Sequence, residues 1–195
     1  AIEKAKSLEI NTIAPGHGPV YRNNPRKIMD DYLRYTQYAE GAGKNEVTIL
    51  WGSMYGMTAK AIDFAEGILK REGVKYSKLH MPLESESEMV ATVFRSAGVI
   101  IAAPTYEYKL FPPVAAAINE LGRKKITGKA AFRFGSYGWS GGAEKELKEI
   151  IERNNMKWEF IDSVEFEGAP KEEDLRRLES GVLEFIEKMR KKTAE

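Results

Sequence analysis

The sequence contains no cysteine in its 195 residues. That excludes disulfides, thiol nucleophiles and cysteine-held zinc or iron–sulfur sites. It contains only two histidines, His17 and His80, far apart along the chain. No apolar run is long enough to span a bilayer, and no signal-peptide pattern opens the sequence, which fits a cytoplasmic location with no membrane partner. Neither sign of charge prevails: 30 basic residues face 29 acidic ones, for a formal net charge of +1. Neither a nucleic acid nor another polyanion is therefore suggested as a partner. The phosphate loops G-x-x-x-x-G-K-[ST] and G-x-G-x-x-G are both missing, as is any internal repeat. What remains is a chain with 43% hydrophobic residues, enough for one core and an extension.

The chain is organised around Trp51-Gly52-Ser53-Met54-Tyr55-Gly56-Met57-Thr58. Before it, Val47 to Trp51 reads as a buried strand. After it, Ala61, Ile62, Ala65, Ile68 and Leu69 fall on one face of a helix over 59–71. Free amides at that helix start, and its dipole, favour an anion. Hydroxyls of Ser53, Tyr55 and Thr58 add donors, and Gly52 and Gly56 admit close approach. The loop is a phosphate cradle without a cation.

Upstream, residues 1–8 read as the end of a helix that something precedes, and 9–14 as a short strand. Pro15-Gly16-His17-Gly18-Pro19 is a rigid turn that fixes an imidazole direction, suited to a metal ligand, with no carboxylate cluster nearby in sequence. Pro25 to Glu40 reads as an amphipathic helix whose apolar contacts are Ile28, Met29, Tyr32, Leu33 and Tyr35, and Gly41 to Asn45 as a hinge. The domain boundary falls there, separating residues 1–43 from 44–195. Beyond it, strands over 47–51, 74–80, 98–103, 129–135 and 158–164 alternate with helices over 59–71, 84–95, 111–124, 143–154 and 171–192. This predicts an α/β fold with a parallel sheet covered on both faces.

Ligands in such sheets bind beyond the carboxyl ends of the strands. Three loops gather on that rim: the cradle, Ala103-Pro104-Thr105-Tyr106-Glu107-Tyr108, and Gly135-Ser136-Tyr137-Gly138-Trp139-Ser140-Gly141-Gly142. Tyr106, Tyr137 and Trp139 offer faces for a flat heterocycle, and exposed backbone in the Gly-rich loop can bond its edge. A planar ring carrying one terminal phosphate suits this rim.

Ser53-Met54-Tyr55-Gly56-Met57-Thr58 resembles the [ST]-x-[TY]-G-x-T phosphate loop of flavodoxins, and the two later loops resemble those of the flavodoxin-like domain of flavodiiron proteins. The Pro15–Pro19 turn supports the same resemblance, which covers essentially the whole chain. It implies a doubly wound five-stranded sheet of order 2-1-3-4-5. It implies FMN, with the phosphate held by Ser53, Met54, Tyr55, Gly56, Met57 and Thr58. The ring would be lined by Pro104, Thr105, Tyr106, Glu107 and Tyr108, and by Ser136, Tyr137, Gly138, Trp139, Ser140, Gly141 and Gly142. In the family a histidine like His17 is the last ligand of a di-iron site in a metallo-β-lactamase-like domain. The H-x-E-x-D-H cluster of that domain is absent from this sequence. Residues 1–43 would then be its remnant and connecting helix, and the other ligands would come from another domain or chain.

The resemblance also implies an electron route: from a donor such as rubredoxin or a reduced deazaflavin, through FMN, to a di-iron site that reduces dioxygen or nitric oxide. It implies a homodimer or larger oligomer, with the flavin of one subunit facing the iron of the other. No residue of this chain is assigned a catalytic role, and Glu107 is expected to disfavour the anionic reduced ring. The alternatives are a free flavodoxin-type carrier, with residues 1–43 as a docking arm, and a flavin-dependent quinone or iron reductase.

Overall fold

The computed structural model describes residues 2–5, 7–39 and 43–194. Two helices, α1 (Ile2–Ala5) and α2 (Pro25–Ala39), precede β1 (Lys44–Trp51), α3 (Met57–Arg71) and β2 (Lys75–His80). Next come α4 (Glu86–Arg95), β3 (Ser96–Ala102), and the two short strands β4 (Thr105–Tyr106) and β5 (Lys109–Leu110). The chain closes with α5 (Pro112–Arg123), β6 (Ala130–Tyr137), α6 (Ala143–Arg153), β7 (Glu159–Phe160), β8 (Val164–Glu167) and α7 (Glu172–Ala194).

The main sheet runs β2-β1-β3-β6-β7, with β8 also paired to β6, and every pairing in it is parallel. This is the expected order, with one correction. The strand expected over 158–164 is two pieces: β7 lies beside Ala130 and Ala131, and β8 beside Phe134 to Tyr137. Trp158 precedes β7 as a buried residue whose Nε1 donates to the Ile126 carbonyl at 2.9 Å.

Alternation along the strands feeds two cores. Val47, Ile49, Phe132 and Phe134 pack under α3 and α7, while Leu50, Val99, Ile101 and Ala131 pack under α4, α5 and α6. β3 is buried at every residue, as a central parallel strand must be. Start signals place the helices locally. Ser85 caps α4 by accepting the Glu88 amide, and Pro112 opens α5, where no amide donor is needed. Just before β6, Lys129 is fully buried, with its Nζ donating to the Phe94 carbonyl at 2.9 Å.

The N-terminal expectations need more correction. Residues 9–14 form no strand; a single antiparallel bridge joins Ile13 to Tyr21 and closes the His17 turn. Of the hinge expected over 41–45, Lys44 and Asn45 belong to β1, and residues 41 and 42 lie outside those described. On α2, Met29 and Tyr38 are the buried residues, while Tyr32 and Tyr35 are exposed. Tyr38 meets Phe94 of α4 edge to face at 6.0 Å. No described helix is long and apolar enough to cross a membrane.

Candidate functional site

The carboxyl ends of β1, β3, β6 and β8 open into one cavity of about 480 Å³, within the range of small-molecule pockets. Met54, Tyr55 and Met57 line it from the first loop, and residues 104–108 from the second. The third contributes residues 136–140. The three loops separated in sequence therefore line one cavity.

The cradle between β1 and α3 is built by the turn itself. Gly56 takes φ 78°, a left-handed conformation that favours glycine, and stands at the cap of α3. Its amide donates to Ser53 Oγ at 3.0 Å, which leaves the Ser53 hydroxyl hydrogen free for an anion. Met57 and Thr58 begin the helix, so their amides have no carbonyl one turn earlier. The Thr58 hydroxyl is buried and hydrogen-bonded to Ser136 Oγ at 3.1 Å, so it ties the cradle to β6.

The second loop is a tight antiparallel hairpin of β4 and β5, not an open loop. Its two turn residues, Glu107 and Tyr108, take φ 47° and 62°. Non-glycine residues there cost roughly 1–2 kcal/mol each. Other elements hold the strained turn. The Phe111 amide donates to the Pro104 carbonyl at 3.1 Å, and the Leu110 amide to Glu146 Oε2 of α6 at 2.7 Å. One polar atom in this wall is unmatched: Thr105 Oγ1 is buried without a hydrogen-bond partner among the described residues. A buried hydroxyl in that state is costly unless a ligand completes it.

In the third loop Gly135, Ser136 and Tyr137 belong to β6, so only residues 138–142 turn. Trp139 is 99% exposed and Tyr55 81%, so flat apolar surface stands at the cavity mouth. Gly141 and Gly142 do not line the cavity; they permit close packing. A Cβ on Gly142 would lie 2.1 Å from the Tyr108 carbonyl oxygen, and one on Gly141 2.7 Å from Glu165 Oε2. Gly168 lines the cavity unexpectedly, its amide donating to the Tyr137 carbonyl at 2.9 Å. Its signal in the sequence is the Gly168-Ala169-Pro170 turn. Beneath these loops Arg133 is fully buried and pairs with Glu165. Burial pushes the Arg133 pKa down, against the pull of Glu165.

His17 stands exposed at the tip of its turn. Among the described residues, no group of three or more His, Cys, Asp or Glu is placed to hold a metal.

No family model matches the chain. A nitric oxide reductase of Moorella thermoacetica is 28% identical over 171 residues, covering 88% of this chain and 42% of that protein. The flavodiiron protein of Giardia intestinalis superposes with a TM-score of 0.86 at 24% identity, covering 99% of this chain and 47% of its own. The chain is homologous to the flavodoxin-like part of flavodiiron proteins. It spans less than half the length of either protein. An archaeal flavodoxin superposes too, with a TM-score of 0.63 at 20% identity, but covers only 74% of this chain and 99% of itself. The flavodiiron fold thus accounts for the whole chain, the flavodoxin fold for about three quarters of it.

Proposed function

We propose that this chain is the FMN-binding electron-transfer part of a flavodiiron oxidoreductase. The observation that carries this reading is the single cavity assembled from a cation-free phosphate cradle, an aromatic rim and the unmatched Thr105 hydroxyl. The residues fit the cofactor. The Met57 and Thr58 amides and the Ser53 hydroxyl would hold the phosphate, and Thr105 would bond the ring or its side chain. Tyr106, Tyr137 and Trp139 would flank the ring. Bound there, FMN supplies the hydride and single-electron chemistry, and the protein orients it and excludes water. Glu107 stands on the hairpin turn and lines the cavity, where its carboxylate would disfavour the anionic reduced ring.

We place the domain boundary at residues 43 and 44. In this reading residues 1–43 belong with a di-iron domain or subunit, to which His17 contributes a ligand. The reaction there is reduction of dioxygen or nitric oxide, with a small donor such as rubredoxin or a reduced deazaflavin. The assembly is a homodimer or larger oligomer, located in the cytoplasm. The fold match over the N-terminal extension supports this over a free carrier.

Titrating the apoprotein with FMN tests the reading. Flavin fluorescence is expected to quench with one FMN per chain. Riboflavin is expected to bind more weakly, because it leaves the cradle empty. Absence of any quench at micromolar protein would refute the assignment.

Thr105→Val gives a sharper check on the unmatched hydroxyl. Removing it is expected to leave the apoprotein as stable as before, or slightly more so, since an unpaired buried polar atom disappears. FMN affinity is expected to fall about tenfold, roughly one lost hydrogen bond of 1.4 kcal/mol. Unchanged affinity in the same titration would mean that Thr105 meets no ligand atom.

A further inference from the structure

Arg133 is the bulkiest fully buried side chain among the described residues, and it is charged. It stands on β6, on the face opposite Phe132 and Phe134. Its Nη1 donates to Glu165 Oε1 at 2.5 Å and its Nη2 to the Ala103 carbonyl at 3.4 Å. Its Nε has no partner among the described residues.

These contacts lie beside the loops that line the cavity. Ala103 leads directly into the hairpin loop, and Gly135 is in register with Glu165 on β8. A Cβ on Gly135 would strike the Ala103 carbonyl, so β6 leaves room there for that carbonyl to reach the guanidinium. The Glu165 carboxylate in turn packs against Gly141 in the third loop. One guanidinium thus touches the base of the second loop directly and the third loop through its carboxylate partner.

Stability does not explain such a pair. The guanidinium is fully buried and the Glu165 side chain 27% exposed. Desolvating the guanidinium costs about as much as the partly screened attraction returns, and apolar residues of similar size commonly do as well or better. We propose that Arg133 and Glu165 are positioning residues that set the spacing between the hairpin loop and the 138–142 loop into which the planar ring fits. The proposal rests on the ring-binding reading above.

The test compares wild type, Glu165→Gln and the double variant Arg133→Met/Glu165→Leu as apoproteins, by melting and by titration with FMN and riboflavin. The double variant removes both charges, so its melting temperature is expected to match or exceed that of wild type. Both flavins are nevertheless expected to bind at least tenfold more weakly. The loss should be equal for the two, because the phosphate cradle is untouched. A double variant that binds flavin as wild type does overturns the proposal and leaves the function standing. If the double variant does not fold, Glu165→Gln decides, since it keeps the side-chain shape: weakened binding of both flavins supports the proposal and unchanged binding overturns it. Wild type binding neither flavin overturns the ring-binding reading itself, and this proposal with it.

Discussion

Gly135→Ala is expected to destabilise the fold by on the order of 4 kcal/mol, at the upper end of what one substitution does. The added Cβ would lie 1.8 Å from the Ala103 carbonyl oxygen and 2.6 Å from its carbon. Both atoms are backbone, so no side-chain rotation relieves the clash. β3 and β6 must spread at their carboxyl ends instead. That spreading strains the bond from the Ala103 amide to the Phe134 carbonyl, 3.1 Å long, and pulls Ala103 from Arg133. The damage falls on a sheet with no slack, since Ala102, Ala103 and Phe134 are fully buried. Gly138→Ala is the control, because nothing lies within 4 Å of a Cβ there. Urea unfolding of both variants checks the contrast. An unfolding free energy for Gly135→Ala within about 1 kcal/mol of wild type would show that the strands part freely.

The second large effect is a rise in stability with pH. Burial, reinforced by the nearby charge of Lys192, lowers the Lys129 pKa from 10.5 to about 8. In the unfolded chain the same amine keeps its ordinary value. Between these two values the unfolded state holds a proton that the native state has released, so stability increases with pH across that window. Below about pH 8 the native state carries the full cost of a buried ammonium, on the order of 3 kcal/mol. Above the unfolded pKa that cost is gone. Lys129→Met removes the titration while keeping most of the stem volume. The stability difference between wild type and Lys129→Met is expected to move in favour of wild type by on the order of 3 kcal/mol from pH 7 to pH 10.5. Other lysines and tyrosines titrate in both proteins and cancel in the difference. A difference that stays flat with pH would mean that the amine reaches water in the folded protein.

The sheet order was legible because its central strands announce themselves. Gly98 to Ala103 is an unbroken apolar run, and only a strand covered on both faces tolerates that. The cradle was equally visible, as glycines and hydroxyls between a buried strand and an amphipathic helix. The misses have physical causes. Glu107 and Tyr108 turn a two-residue hairpin without the Asn-Gly or Asp-Gly that normally signals one, so the hairpin read as a loop. Val164 to Glu167 alternates buried and open residues as a half-covered strand, but apolar Trp158 and Ile161 make 158–164 the more strand-like stretch in sequence, which hides Gly168. Arg133 gave no signal, because a charge within an apolar strand pattern reads as an interruption until its partner on another strand is known. The Thr58–Ser136 contact joins residues 78 apart, and no local pattern encodes it.

The turn at Glu107 and Tyr108 has a further consequence. A sequence shaped only for folding would place Asn-Gly there, since those residues occupy the left-handed region at little cost. This chain instead keeps two large side chains, both on the wall of the cavity. Thermostability and recognition therefore pull in opposite directions at these positions. Glycine at 108 would relax the backbone and strip one face from the pocket, so a selection for heat resistance alone would erode binding first at this corner.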